Sequence, residues 1–550
     1  MIMRSNILQL DPRDNVIVAL ADLHHGEKVE VCGSSVALLS KVPAKHKFAA
    51  NDLPVGSNVI MYGVPVGETV ELVRRGALLT TRNVRHHAEP FHEKSKGFIW
   101  TCPNVSGWRQ RRFLGYHRSD GQVGTRNYWL VVPLVFCENR NIRNLRQAME
   151  EELGFAAPSA YRSQVAELVR CYRQSNRAPE EIAVDQHQAL SKVPPLFPNL
   201  DGIKFLLHEG GCGQAREDSN NLCSLIAGYI HHPNVAGATV LSLGCQNAQT
   251  GILREEIRRR NPRFDKPLVI LEQQQIGTEA AMLSQAIQQT FDGLIRVNAA
   301  TRIPADLSHL CVGLKCGGSD GFSGISANPA IGHTSDLLVA LGARTILSEF
   351  PELCGVEQEL INRASTKEIG NRFIQLMSEY AKRARAVGAG FDMNPSPGNI
   401  RDGLLTDAMK SAGAVRKGGT STVTDVLAYP EYCTQAGLNL QCTPGNDVEC
   451  VTAQAGAGAS VVLFTTGLGT PTGNPIVPVI KLSTNSNLAE RMADIIDIDT
   501  GPIIAGQSTV EEMGKRVLEL VIQVSSGELR TKAELNRQED FIPWKRAVSL

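Results

Sequence analysis

From about residue 115 onward the chain alternates near-continuous apolar runs with segments of helical period, and this constrains the fold more than any other feature. YWLVVPLVF (128–136) is apolar almost throughout, as a strand covered on both faces must be. NIRNLRQAMEEELG follows as a helix, with Asn139 or Asn141 as its cap. ATVLSLGC, PLVILE, HLCVGLKC and ARTILSEF are further buried-strand candidates, and a shorter strand stands near 203–207. Helical segments near 219–231, 277–290, 330–341 and 367–387 separate them. Strands alternating with helices predict a mostly parallel sheet.

The flanking regions read differently. In residues 1–95, NVIVALADL, EKVEVC, SSVALL and SNVIMYG are short β-branched runs punctuated by Gly26, Gly33, Gly56 and Gly63, which predicts a small β domain. Residues 85–115 are polar, interrupted by Pro and Gly, and carry three His; they read as a linker or an arm packed on a neighbour. A third region begins near NPSPGN (394–399) and contains LNLQCTPGND, SVVLFTTG, PVIKLSTN and a helix near 508–526. A chain of 550 residues exceeds one core. The expected division is a β domain over 1–95, a linker over 96–115, an α/β domain over 116–390 and an α/β domain over 391–550.

Lys plus Arg and Asp plus Glu both number 56, a balance that argues against nucleic-acid or membrane-surface partners. The first fifteen residues hold no uninterrupted apolar stretch, and no run of about 18 apolar residues occurs. Thirteen Cys without framework spacing then read as reduced thiols of a cytoplasmic protein. No phosphate-binding glycine motif and no CxxC pair is present.

Open parallel sheets bind ligands beyond the carboxyl ends of their strands. Here those loops read His208-Glu209-Gly210-Gly211-Cys212-Gly213, then Gly244-Cys245-Gln246-Asn247, then Cys316-Gly317-Gly318-Ser319-Asp320-Gly321, then Glu349. Three strand ends thus present a glycine-flanked Cys and a fourth a carboxylate. Cys, His, Asp and Glu are metal-ligand and acid/base types. A lone Cys after a strand is more often a small buried hydrophobe; three at equivalent ends bring the two readings level. Asp320 can equally serve a turn and His208 the core. The pairs His24-His25, His86-His87 and His231-His232 lack helical i,i+4 spacing and read mostly as surface residues.

With these residues the sequence resembles the altronate and galactarate dehydratase family. GYHRSDGQVGTRNYW, HEGGCG, SLGCQN, CGGSDGFSGISANPAIG, NPSPGN, TPGND and FTTGLGTPTGNPIVPVIKLSTNS stand in the family's order across about 370 residues. The resemblance implies an N-terminal β-clip (SAF-type) domain followed by mostly parallel α/β regions, with His46 reaching the active site from the β-clip. Three departures stand out: Lys45 where the family usually has Gly, Ile400 where NPSPGN usually continues with Lys, and Met409 before Lys410 where the family has a Glu-Lys pair.

Family membership implies loss of water from C2 and C3 of an aldonic acid, altronate first, giving a 2-keto-3-deoxy acid. It also implies a divalent metal, Fe²⁺ or Mn²⁺, and a homo-oligomer whose only partner is the small sugar acid. His46, His208, Asp320 and Glu349 are the catalytic candidates. Arg126 is the candidate for the substrate carboxylate, because a guanidinium grips one bidentately. Ser319, Ser323, Asn328, Asn399, Asn446 and Thr470 are candidates for further substrate contacts, and Cys212, Cys245 and Cys316 for the metal. Galactarate or another sugar acid is the alternative substrate. Two further readings stay open: an iron–sulfur dehydratase using the same three Cys, and a non-catalytic sugar-acid binder.

Overall fold

The computed structural model describes residues 6–31, 33–156, 160–175 and 194–547. The N-terminal region is a small β domain, as expected. Val16–Ala19 pairs antiparallel with Ile7–Leu8 and with Lys47–Ala49, and Lys28–Val31 pairs with Ser34–Ala37. Asn58–Met61, Val64–Thr69 and Val84–Arg85 form a third antiparallel group. Four of these strands, Ile7–Leu8, Lys47–Ala49, Val64–Thr69 and Val84–Arg85, lie outside the β-branched runs that the sequence marks.

Two parallel sheets follow. The first contains β1 (Tyr128–Pro133), β2 (Gly202–Phe205), β3 (Val235–Ser242) and β4 (Leu268–Glu272), in the order β2-β1-β3-β4. The second contains β5 (Cys311–Cys316), β6 (Arg344–Leu347), β7 (Val423–Leu427), β8 (Gly437–Gln441), β9 (Val461–Thr466), β10 (Val479–Ser483) and β11 (Ile498–Asp499). Its order is β7-β8-β6-β5-β9-β10-β11, all parallel. Each sheet therefore has a topological switch point, β1/β3 in the first and β5/β9 in the second, where the chain reverses its direction of progress and a crevice opens.

The expected division at 391 does not hold. β5 and β6 pair with β8 and β9, so one sheet runs from 311 to 499 and the change of sheet falls between 272 and 311. NPSPGN marks only a capped short helix, Pro397–Arg401, inside the excursion between β6 and β7. The arm after residue 85 packs on the second sheet's domain: Trp100 donates to Thr420 Oγ1 at 3.2 Å. The helix over Asn139–Glu152 starts at Asn139 without any side-chain cap, unlike the reading from its asparagines.

α1 (Arg216–His231) and α2 (Asp447–Gly456) bind the two sheets together. A Cβ on Gly228 would stand 2.2 Å from the Gly456 carbonyl, and Tyr229 donates to Thr452 O at 3.2 Å. Near their N-termini, Leu222 and Glu449 line one cavity of about 480 Å³ with His208 and Trp544. The helices run the same way, so both sheets present their carboxyl edges at one end of the molecule. Among the described residues no helix is long and apolar enough to cross a membrane.

Trp129 fills the core of the first sheet, fully buried, with its indole N–H on Thr239 Oγ1 at 3.0 Å. A Cβ on Gly293 would lie 2.0 Å from the ring. Gly293→Ala should therefore lower the melting temperature by overpacking, worth about 1–3 kcal/mol. Alanine is the better helix former by about 1 kcal/mol, so a raised melting point in a calorimetric scan would refute the packing account.

Candidate active site

Charge is buried at the carboxyl ends of β5 and β6, next to the second switch point. β5 is apolar until its last two residues, Lys315 and Cys316, and both are inaccessible. Glu349 follows β6 with φ 70° and ψ 58°, a left-handed conformation that costs a non-glycine residue about 1–3 kcal/mol. Its N–H is held by Thr443 Oγ1 at 3.0 Å. That turn aims the carboxylate across the end of β5. One oxygen meets Lys315 Nζ; the other accepts from Lys417 Nζ at 2.6 Å and from the Cys316 N–H at 3.3 Å.

Around this pair the cluster closes. Lys417 Nζ also reaches Cys316 Sγ at 2.7 Å, and that thiol donates to Glu352 Oε2 at 3.3 Å. Glu352 Oε1 accepts from Lys410 at 2.8 Å, and Asp447 pairs with Lys315 at 2.9 Å. Three ammonium groups thus face three carboxylates around one thiol. Burial alone would push Lys315 down; Asp447 and then Glu349 hold it well above its ordinary value. Burial likewise opposes Glu352, but Lys410, then Lys315 and Lys417, bring it to about 2. Burial pushes the Cys316 thiol up to about 12.

The CGGSDGFSG loop carries the site toward the N-terminal domain. Asp320 is buried and saturated. Its oxygens accept from the Phe322 N–H at 3.1 Å, Ser323 Oγ at 3.1 Å and Thr484 Oγ1 at 3.0 Å, and pair with Lys45 Nζ at 3.0 Å. Lys45 also reaches Asp402 at 2.9 Å. Its φ of 73° explains a glycine preference there. Lys47 is fully buried, donates to Gly403 O at 2.7 Å, and is pushed down to about 7 by burial. His46 stands between them, half-buried, with Nδ1 at 3.2 Å from Ala44 O; burial lowers its pKa. The β domain therefore delivers Lys45 and Lys47 to the Asp320 loop, with His46 between them in sequence.

The other candidates distribute as follows. Ser319 Oγ is buried with no hydrogen-bond partner among the described residues. Ser323 braces Asp320. Asn328 spans Gly413 O and Thr465 Oγ1, Asn399 holds Ser319 O at 2.7 Å, and Asn446 caps α2. Thr470 lies against Gly318 in the same loop. Ile400 is half-exposed, and Met409 is core.

Several expected roles meet different partners. Arg126 is buried with Glu534 at 2.7 and 3.0 Å and donates to the Thr125 and Val524 carbonyls, so its fork is engaged. His208 has both ring nitrogens on backbone, Pro133 O at 2.7 Å and Gly210 N–H at 3.1 Å, and burial lowers it to about 4. His231 and His232 are buried, not surface residues, and His232 is likewise tied to Ala459 O and Asn234 N–H. Cys212 and Cys245 lie in loops of the first sheet, while Cys316 has the neighbours given above. Sequence reasoning missed Lys315, Lys417, Glu352 and Lys47. For Lys315 and Lys47 the available signal was lysine inside strands that are otherwise buried, since Lys is almost never fully buried unless paired; Lys417 and Glu352 lie in short helical turns and carried no such signal.

Among the described residues, Cys316, Glu349 and Glu352 are the one group whose potential metal-ligand atoms lie within 4.8 Å of one another. They do not suit a divalent cation as arranged, because every carboxylate oxygen is already engaged by an ammonium group, an N–H or the thiol. A cation placed there would have to displace lysines.

Comparison with known proteins covers the whole of this architecture. Residues 5–87 match the family described as the altronate/galactarate dehydratase SAF domain. Residues 115–298 match the D-galactarate dehydratase/altronate hydrolase second domain, and 307–549 the D-galactarate/altronate dehydratase C-terminal domain. The chain is 32% identical over 535 residues to altronate dehydratase of Escherichia coli K12, covering 97% of each. It is 31% identical to altronate dehydratase of Bacillus subtilis 168, covering 99% of this chain and all of that one. Galactarate dehydratase (L-threo-forming) of E. coli K12 is 30% identical, over 95% and 93% of the two chains.

Two measurements test this account. Arg126→Ala should destabilise by about 3–5 kcal/mol, because it strands Glu534; unchanged denaturation with a raised KM would return Arg126 to the substrate. Glu352 ionises at about 2 when folded against 4.5 ordinarily. Its stabilising contribution is complete above pH 4.5 and disappears as pH falls toward 2. Glu352→Gln should therefore flatten the acid-unfolding curve in that window, and parallel wild-type and mutant curves would contradict the assignment.

Proposed function

This chain belongs to the altronate/galactarate dehydratase family, and we propose from that premise that it is a hydro-lyase acting on a sugar acid. Altronate is the first-choice substrate, converted to 2-dehydro-3-deoxy-D-gluconate, and galactarate the alternative. The observation that carries the reading is the buried group of three lysines, two glutamates and a thiol at the β5/β6 edge.

Dehydration makes three demands that this group can meet. The C2 proton is weakly acidic, so negative charge on the enolate must be stabilised as it forms. Lys315, Lys410 and Lys417 supply fixed positive charge in a dry site, where it acts most strongly. A base must take the C2 proton, and Glu349 is placed for that once the substrate displaces the lysines that now hold its oxygens. An acid must protonate the departing C3 hydroxyl, and Lys417 is placed for it. Against burial, Cys316 and then Glu349 hold its proton above the ordinary ammonium range, so it gives that proton up only as the substrate displaces them. Water leaves, and the enol tautomerises to the 2-keto-3-deoxy acid. No step is assigned to a divalent ion at Cys316, whose surroundings do not suit one.

The test is a panel of aldonic and aldaric acids assayed for 2-keto-3-deoxy product, with Glu349→Gln and Lys417→Met beside the native protein. Altronate should turn over, and each substitution should lower kcat by about 10²–10⁴-fold. No product from any sugar acid would sink the dehydratase reading; full activity in both variants would sink the assigned roles.

A further inference from the structure

The first switch point carries its own chemistry, independent of the ammonium cluster. Cys137 follows β1, Cys212 follows β2 and Cys245 follows β3, so three adjacent strands each deliver a free thiol beyond the same edge. The loops that carry them are joined. The Phe136 N–H donates to Gly210 O at 3.0 Å, the Ala248 N–H to Gly211 O at 3.1 Å, and Asn247 Nδ2 to Gln214 O at 3.0 Å. Gly211 has φ 97°, and a Cβ there would lie 2.2 Å from Leu134 O. That residue must be glycine for the β1 and β2 loops to meet, and the contact brings Cys212 up to the β1 loop.

Cys137 and Cys245 are exposed and Cys212 is half-buried, so the group opens to the crevice rather than filling a core. Structural cysteines elsewhere in the chain, such as Cys223, Cys433 and Cys450, are fully buried.

We propose that Cys137, Cys212 and Cys245 ligate an iron–sulfur cluster at the β1/β3 switch point. Three thiolates select a soft metal centre. A single tetrahedral zinc would draw its sulfurs to roughly 3.8 Å apart at Zn–S distances of about 2.3 Å. The three thiols form no group within 4.8 Å. A cluster offers a separate iron to each thiolate and accommodates the wider spacing, leaving one iron without a cysteine ligand. The set differs from the one expected on sequence: Cys137 replaces Cys316, which belongs to the other sheet.

The experiment is isolation of the full chain under anaerobic conditions, with iron, zinc and acid-labile sulfide measured and visible absorbance recorded. Cys137→Ser, Cys212→Ser and Cys245→Ser, with Cys102→Ser and Cys316→Ser as controls, are reconstituted with Fe²⁺ and sulfide. Native protein should carry iron and sulfide in comparable amounts. Each of the first three variants should lose iron retention by at least the roughly 10–100-fold that outer-shell changes cost, and both controls should keep it. Unchanged circular dichroism would separate ligand loss from misfolding. Zinc without sulfide, iron retained by the triple variant, or iron lost from Cys316→Ser but not Cys137→Ser would each overturn the assignment. None of these readouts depends on turnover, so a failure here stands apart from a failure of the dehydratase reading.

Discussion

Everything at the β5/β6 edge follows from the need to match charge in a place without water. An ammonium or carboxylate removed from solvent costs several kcal/mol, and only close partners offset it. Lys315, Lys410 and Lys417 are therefore stable inside the protein only because Glu349, Glu352 and Asp447 face them. The requirement explains the strained turn at Glu349, which no ordinary strand exit would provide. It also explains why the group contains both strong donors and strong acceptors, poised for proton transfer, with little room for an added cation.

The two parallel sheets set these groups in one neighbourhood. α1 and α2 pack at Gly228 and Gly456 and run the same way, so both switch points open at one end of the molecule. One edge is lined by ammonium and carboxylate groups, the other by thiols. The N-terminal β domain completes the arrangement by laying Lys45 and Lys47 on the Asp320 loop and on Gly403. Asp320 thereby joins a loop of the second sheet to a domain more than 250 residues earlier in the chain.

Helices and strands were largely legible because their signals are local. The apolar runs at 128–133, 235–242, 311–316 and 461–466 became central strands. The helix expected at 367–387 spans Lys367–Ala386, capped by Thr366. What failed were judgements that need a partner. Arg126 looks like a carboxylate grip in sequence, and nothing nearby announces Glu534, 408 residues away. His208 beside two glycines resembles a site residue, until the Pro133 carbonyl is seen to hold it. The turn cluster suggests a domain change near 391, whereas strand pairing puts the change of sheet between 272 and 311, at least eighty residues earlier.

The sequence alone determined the class of fold, because hydrophobic period and turn residues act within a few positions, and it determined the family, because seven motifs persist in order. It also marked the strand-end loops as the place for chemistry. Which side chains share a site was decided only by the tertiary structure. Strand order sets the loop of Cys137, not that of Cys316, among the loops of Cys212 and Cys245, and the left-handed turn at Glu349 selects Lys315 and Lys417 as its partners. Electrostatic and hydrogen-bond energies fall off over a few ångströms, and distance along the chain carries no information about them.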